Sequence, residues 1–366
     1  MTLGNEESDP TGTALIRRLA IDILADRYRA VQSIGSSYGG LAFLGRDIHT
    51  EAKVFVKYLI CPRGEGERAK FLMERDAIEY LQRFDGRDFA PHLLHFQEFP
   101  ELQSMVIVTE WIEGESLASW LERCKQLSFD ERLAVFHRVV RCMSGATLVY
   151  QHRDFHPGNV VLLPEAQVRL GVDVLPKDET AAVRILDWGE AIPVLQGNYD
   201  DEPDHHFVML AVTPRTIAGA FTSLPPEVFK SWKRNRYFGG TYEAWGLGML
   251  LYRIFSDIPL ELPSSLGDYA SHVYDGTLSR ETGRRRAQLE TLALPGSQII
   301  PRLYEWMMKE TPEERAPLST VGRVLWDVRF EGLSITDLAE LRRYFSSPGT
   351  YEPPGGWTYS QPWIYD

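Results

Sequence analysis

The sequence predicts an α+β chain in two unequal parts: a small part built of antiparallel strands with one helix set among them, then a larger, mainly helical part. Three observations predict it. Residues 30–34, 41–44, 52–60, 92–99 and 104–111 are short runs rich in β-branched and aromatic residues, several alternating apolar and polar positions as half-buried strands do. Between them, residues 65–84 carry apolar positions three and four apart, the period of a helix. Beyond residue 112 the helical pattern dominates, at 117–124, 129–151 and 241–255. Strands gathered at one end and helices at the other make α+β, not an alternating βαβ order.

The composition bounds the function. A length of 366 residues allows one large domain or two lobes with a sizeable core. Hydrophobic content of 44% and charged content of 25% are ordinary for a globular chain. The net charge of −12 argues against nucleic acid and against an anionic membrane surface, and leaves basic or protein substrates open. The longest apolar run, near 244–251, is far short of a membrane span. The acidic start, Met1 to Asp9, is no secretory signal. Cys61, Cys124 and Cys142 form no C-x-x-C pair, so neither a disulfide framework nor a zinc site is expected, and a cytoplasmic location is.

Residues 1–27 read as an N-terminal extension with a short helix at 14–21. Next, Gly35-Ser36-Ser37-Tyr38-Gly39-Gly40 falls between two strand runs. Glycines there suit a hairpin whose backbone approaches a phosphate, and equally an ordinary tight turn. In the following strand Val54, Val56 and Tyr58 alternate with Phe55, Lys57 and Leu59. Lys57 thus shares a face with two apolar residues, either as a snorkelling edge charge or as an inward phosphate ligand. On the helix at 65–84, Phe71, Glu74, Ile78 and Leu81 share one face, whereas Glu79 lies off it. A carboxylate on the apolar stripe needs a partner, and Lys57 is the natural one. The strand at 104–111 then runs through Thr109, Glu110 and Ile112 to Gly114, where the chain can cross into the second part.

The helices at 117–124 and 129–151 lead into His152-Arg153-Asp154-Phe155-His156-Pro157-Gly158-Asn159. An Asp and an Asn five positions apart on one loop can face one phosphoryl group, the Asp taking a hydroxyl proton and the Asn holding a divalent metal. The bland alternative is a helix-to-strand turn without chemistry. A strand at 160–163 and a surface insertion at 165–182 follow. Then Val183 to Gly189 ends in Asp187-Trp188-Gly189, a strand-end carboxylate where the chain turns away. A long irregular stretch, 190–224, holds Tyr199, Thr213, Thr216, Thr222 and Ser223 and ends at Pro225-Pro226-Glu227. His205 and His206 are adjacent and are read as loop residues, not metal ligands. Lys230, Lys233, Arg234 and Arg236, and the triplet Arg284 to Arg286, read as solvated faces that could also bind an acidic segment. Residues 331–366 form a tail with a helix at 333–345, N-capped by Ser334. After it come Trp357, Tyr359, Trp363, Ile364 and Tyr365, which either dock on the chain's own domain or carry a partner.

Taken in order, these motifs resemble the protein kinase superfamily over some 300 residues. Residues 152–159 match H-R-D-x-x-x-x-N, and Asp187-Trp188-Gly189 resembles D-F-G with Trp for Phe. Gly35 to Gly40 resembles the glycine loop, with Ser37 at its second glycine, and Val54 to Lys57 resembles V-A-I-K, with Phe55 at the small residue. Pro225-Pro226-Glu227 resembles A-P-E, Glu243-Ala244-Trp245 resembles the D-x-W helix, and residues 311–317 look like D-P-x-x-R-P. His156 departs toward the aminoglycoside and choline phosphotransferases, whereas Arg153 is the protein-kinase choice. Ala220 stands where the serine/threonine kinases carry a threonine.

The resemblance implies a two-lobed kinase fold with an N-lobe at 28–112 and a C-lobe at 113–330. It also implies transfer of the ATP γ-phosphoryl group to a hydroxyl, most simply a protein Ser or Thr, with Mg²⁺. Asp154 would be the base, and Asn159 and Asp187 the metal ligands. Lys57 with Glu74 would place the phosphates, under Gly35, Ser37, Gly39 and Gly40. Thr109 would be the gatekeeper, with backbone groups of Glu110 and Ile112 on the adenine. Arg315 would pair with Glu227. A small-molecule kinase and a nucleotide-binding pseudokinase scaffold are the two alternatives.

Overall fold

The computed structural model describes residues 24, 27–37, 40–60, 62, 64–82, 89–164, 182–194, 223–230, 241–292 and 297–330. The helices anticipated at 14–21 and 333–345, residues 165–181 of the insertion read at 165–182, most of the stretch 190–224, and His205 and His206 lie outside them.

Strands β1 (Tyr28–Ser37), β2 (Gly40–Asp47), β3 (Lys53–Ile60), β4 (Leu93–Phe99) and β5 (Ser104–Glu110) form one antiparallel sheet in the order β1-β2-β3-β5-β4. Alternation along β3 sorts its side chains. Val54, Val56 and Tyr58 enter one apolar cluster with Tyr28, Phe99, Val106 and Val108. Leu59 packs on the opposite face with Met105 and Ile107 against Phe71 of helix α1 (Glu65–Leu81). Lys57 is on that second face. Helix α1 buries Phe71, Glu74, Ala77, Ile78 and Leu81. It ends at Leu81, short of the expected residue 84; the C-cap Gln82 still donates its N–H to Ile78 O, and its side-chain oxygen accepts from Leu93 N–H (2.7 Å), tying the helix end to β4.

The chain leaves the sheet through Gly114. A methyl group there would sit 2.3 Å from the carbonyl oxygen of Leu162, so only glycine lets the crossing lie against the second lobe. That lobe begins with β6 (Glu115–Ser116), α2 (Leu117–Arg123) and α3 (Phe129–Ala146). A capping box starts α3, with Ser128 and Glu131 satisfying each other's backbone N–H groups. The helix ends at Ala146, not near 151, because the chain must enter β7 (Tyr150–Gln151), which pairs with β10 (Ile192–Pro193). Strand β8 (Val160–Leu162) lies between β6 and β9 (Val183–Ile185).

The core of this lobe is α5 (Tyr242–Phe255), buried at almost every position. Around it lie α3, the short α4 (Glu227–Lys230), α6 (Leu266–Tyr274), α7 (Thr277–Glu290), α8 (Ile299–Met307) and α9 (Leu318–Phe330). The carbonyl of Ile254 at the end of α5 accepts from Arg132 and Lys125, cations placed where the helix dipole favours them. One expectation fails here. Arg284 and Arg286 are surface residues paired with Glu261 and Glu305, but Arg285 is buried between them. Its guanidinium takes the carbonyl of Glu261 and the carboxylate of Glu281, because the helical period turns every middle residue of such a triplet to a different face from its neighbours.

Glu227 of α4 and Arg315 form a bidentate pair at 2.8 and 2.9 Å, with side-chain exposures of 5% and 0%. The guanidinium also donates to the carbonyls of Thr241 and Lys309 and lies 5.4 Å from the Trp245 ring centre. Removing one partner strands the other charge in the core. Arg315→Ala should therefore lose about 3–5 kcal/mol in urea unfolding; a loss below about 1 kcal/mol would mean that the pair contributes like an exposed one.

Candidate active site

The loop between β7 and β8 is held through its backbone. His152 is fully buried, and burial lowers its pKa. Its Nε2–H donates to Leu186 O (2.8 Å) and its Nδ1 accepts from Asp154 N–H (3.2 Å), which assigns a neutral ring protonated on Nε2. Arg153 has a left-handed φ of 64°, and its N–H donates to Glu243 Oε1 at 2.8 Å. Glu243, near the start of α5, is itself buried. Burial pushes its carboxyl up to about 7, against the pull of hydrogen bonds from the backbone of Arg153 and His152.

Two residues on, His156 Nδ1 accepts from Gly158 N–H (3.0 Å). A side chain at 158 would meet that ring at 2.9 Å and would require it to shift. Asn159 closes the loop, its Nδ2 donating to Asp154 O (3.1 Å) and its N–H to His156 O (2.9 Å). This leaves the amide oxygen of Asn159 as an acceptor.

The second arm of the site is Ile185 to Gly189. Leu186 N–H donates to Asn159 O (2.7 Å), which ties the two loops to each other. Asp187 takes φ 55°, a region that Asp tolerates better than most residues. Trp188 is fully buried, and its ring packs edge-on to His152 with centroids 4.7 Å apart.

Lys57 joins this arm to the sheet. Its ammonium lies 2.9 and 2.8 Å from the two carboxylate oxygens of Glu74 and 3.1 Å from Asp187 Oδ1. Burial alone would lower Lys57, but Glu74 and then Asp187 outweigh it and hold the ammonium above the ordinary lysine range. Burial would raise Asp187 too, yet Lys57 keeps it below the ordinary carboxylate range. Glu74 moves up with its partner, because burial and the second carboxylate outweigh the share of Lys57 that it receives. One cation between two carboxylates thus leaves Asp187, with 44% side-chain exposure, as the open anion. On the outer side, Lys70 and Glu190 pair at 2.6 Å, one turn of α1 before Glu74.

The other predicted residues are distributed over the sheet, its β1–β2 hairpin and the segment after β5. Phe55, Lys57 and Thr109 share the α1 side of the sheet, with Phe55 directly opposite Thr109. Thr109 is buried and donates its hydroxyl to Glu110 O (3.3 Å). Glu110 N–H is already engaged by His92 O (3.0 Å), so what remains is the second lone pair of its carbonyl and the backbone of Ile112 beyond the strand. Gly35, Ser37 and Gly40 are in the β1–β2 hairpin, where Gly35 pairs with Ala42 and Ser37 with Gly40, while Gly39 is outside the described residues.

Asp187 and Asn159 offer one carboxylate and one amide oxygen. That hard, sparse donor set fits Mg²⁺, which completes its shell with water and phosphate oxygens. Among the described residues no group of three or more His, Cys, Asp or Glu side chains converges, and no helix is long and apolar enough to cross a membrane. Sequence reasoning treated Glu243 only as a departure from a pattern and missed Lys70. The signal for Glu243 was present, as the one charged side chain in the apolar run 242–252.

A family model of the protein kinase domain matches residues 28–326. Serine/threonine-protein kinase SAPK3 of Oryza sativa subsp. indica is 25% identical over 312 residues, covering 80% of each chain. Serine/threonine-protein kinase SRK2I of Arabidopsis thaliana is 24% identical over 318 residues, 81% of this chain and 76% of its own. A bacterial relative, PknA of Corynebacterium glutamicum, is 24% identical over 342 residues, 87% of this chain and 66% of its own. The chain belongs to the protein kinase family.

The raised carboxyl of Glu243 makes stability depend on pH. Between about pH 4.5 and 7 the unfolded chain ionises this group while the folded one keeps its proton. Stability from Glu243 is therefore full below that window and lost as pH rises through it, by roughly 3 kcal/mol. Glu243→Gln keeps an acceptor for Arg153 N–H without the titration. Urea unfolding should show the variant gaining on wild type between pH 5 and pH 8; a constant difference would rule the effect out.

Proposed function

We propose that the chain is a Mg²⁺- and ATP-dependent protein kinase that phosphorylates Ser or Thr hydroxyls. The observation that carries this reading is the convergence of Lys57, Glu74 and Asp187, with Asp154 and Asn159 tied to the same arm through Leu186. A nucleotide-binding scaffold needs no such convergence.

Bound Mg-ATP supplies the transferable γ-phosphoryl group and the divalent charge that offsets its anions. Lys57, held protonated, orients the phosphates, and Glu74 fixes Lys57. Asp187 and the amide oxygen of Asn159 hold the metal. Asp154 orients the acceptor hydroxyl and takes its proton. The backbone edge at Glu110 and Ile112 bonds the base, under the β1–β2 hairpin, with Phe55 shaping the pocket roof. The residues need only position groups and balance charge, because phosphoryl transfer asks little covalent chemistry of the protein.

The buried Arg315–Glu227 pair and the named Ser/Thr kinase relatives support a protein substrate over the small-molecule acceptor that His156 suggests. On this reading residues 28–112 and 113–330 are the two lobes, flanked by an extension and a tail able to recruit partners. Free, buried Cys124 and Cys142 suit a reducing, cytoplasmic setting.

Intact mass after incubation with Mg²⁺-ATP tests the reading, with generic Ser/Thr peptides as added acceptors. Wild type should transfer phosphate to itself or to peptide. Asp154→Asn should bind nucleotide normally but turn over roughly 10²–10⁴-fold more slowly; undiminished transfer would remove Asp154 from the mechanism. Asp187→Ala should lose Mg²⁺-dependent nucleotide binding in calorimetry, and normal binding would place the metal elsewhere.

A further inference from the structure

We propose that the indole N–H of Trp188 locks the turn that carries Asp187, which makes Trp188 a positioning residue for the metal-holding carboxylate. The inference rests on the reading of Asp187 as a metal ligand, but the lock itself does not.

Strand β9 is the edge of its three-stranded sheet, and Ile185 is its last residue. Opposite Val160, Ile185 makes no ladder bond inward: the link there runs from Leu186 N–H to Asn159 O. Its own N–H points away from β8, to Phe89 O at 2.9 Å. A strand residue aims N–H and C=O to the same side, so the carbonyl of Ile185 also faces outward, at a fully buried position. Trp188 Nε1 donates to that carbonyl at 2.9 Å. A side chain three residues on thus takes the place of a missing neighbour strand.

The bond closes a loop over Leu186 and Asp187, where Asp187 holds its left-handed φ. Three backbone carbonyls flanking Asp187 are then fixed. Ile185 O takes Trp188 Nε1, Leu186 O takes His152 Nε2, and Trp188 O takes Ala191 N–H (3.0 Å). Lys70 and Glu190 hold the next step of the chain from the solvent side. Phenylalanine at 188 could fill the same space against His152 but has no donor, and would leave a buried carbonyl unpaired.

The decisive substitution replaces Trp188 by 3-benzothienylalanine, which keeps the bicyclic volume and exchanges N–H for sulfur. Trp188→Phe is the simpler companion. In nucleotide-free protein, amide hydrogen exchange over residues 185–191 should be roughly five- to tenfold faster in the analogue, the share of one buried hydrogen bond. Exchange in α3 and α5 should not change. The Mg²⁺ concentration needed to bind a non-hydrolysable ATP analogue should rise by a similar factor. Unchanged exchange over 185–191 would overturn the lock. Faster exchange with an unchanged Mg²⁺ requirement, in a protein where Asp187→Ala abolishes binding, would overturn the positioning role. If Asp187→Ala binds normally, the metal reading fails instead, and the exchange result still judges the lock. Should neither variant fold, rapid solvent exchange of the Trp188 indole N–H in wild type would by itself overturn the proposal.

Discussion

The ammonium of Lys57 is the point through which the parts of the molecule communicate. It stands on the central strand of the sheet, takes the buried carboxylate of helix α1, and reaches the turn after β9. Glu74 cannot stay inward as an anion without it, and Asp187 takes the same cation from the half-open side. Sheet, helix and the arm that carries Asp187 each meet the same cation. With two carboxylates on one lysine, the assembly carries a local excess of negative charge, which suits a site that receives a divalent cation.

Behind this contact lies a scaffold of buried polar groups. His152 and Glu243 both spend their hydrogen bonds on the backbone of the two site loops, His152 on Asp154 and Leu186 and Glu243 on Arg153. Arg315 ties Glu227 to the carbonyl at the entry to α5, so the helix that supplies Glu243 is itself anchored by an ion pair. The candidate site sits on loops, and those loops are held by polar groups placed beneath them inside the helical core.

Much of this was legible in the chain. The strand period put Lys57 beside Phe55, and the helix period put Glu74 on the apolar stripe, so their meeting followed from two local rules and the cost of a buried charge. Asp154 and Asn159 were readable because five positions on one loop keep them together. The helices between residues 266 and 330 were not individually legible, because residues such as Arg284 to Arg286 look solvated until one knows which face meets a neighbour. Nor could sequence disclose the bond between Trp188 and Ile185. It depends on β9 ending as an edge strand, a tertiary fact that no period encodes.

The interlocking of His156 and Gly158 has a bearing on how such loops change over generations. The imidazole occupies the volume that a side chain at 158 would need, and Gly158 in turn offers the N–H that seats the imidazole. The two positions therefore form one steric unit with a preferred order of replacement. A lineage that first trades His156 for a slimmer residue opens room at 158, whereas one that first places a side chain at 158 collides with the ring. A bulkier residue at 158 is thus reached with less rearrangement once position 156 has changed.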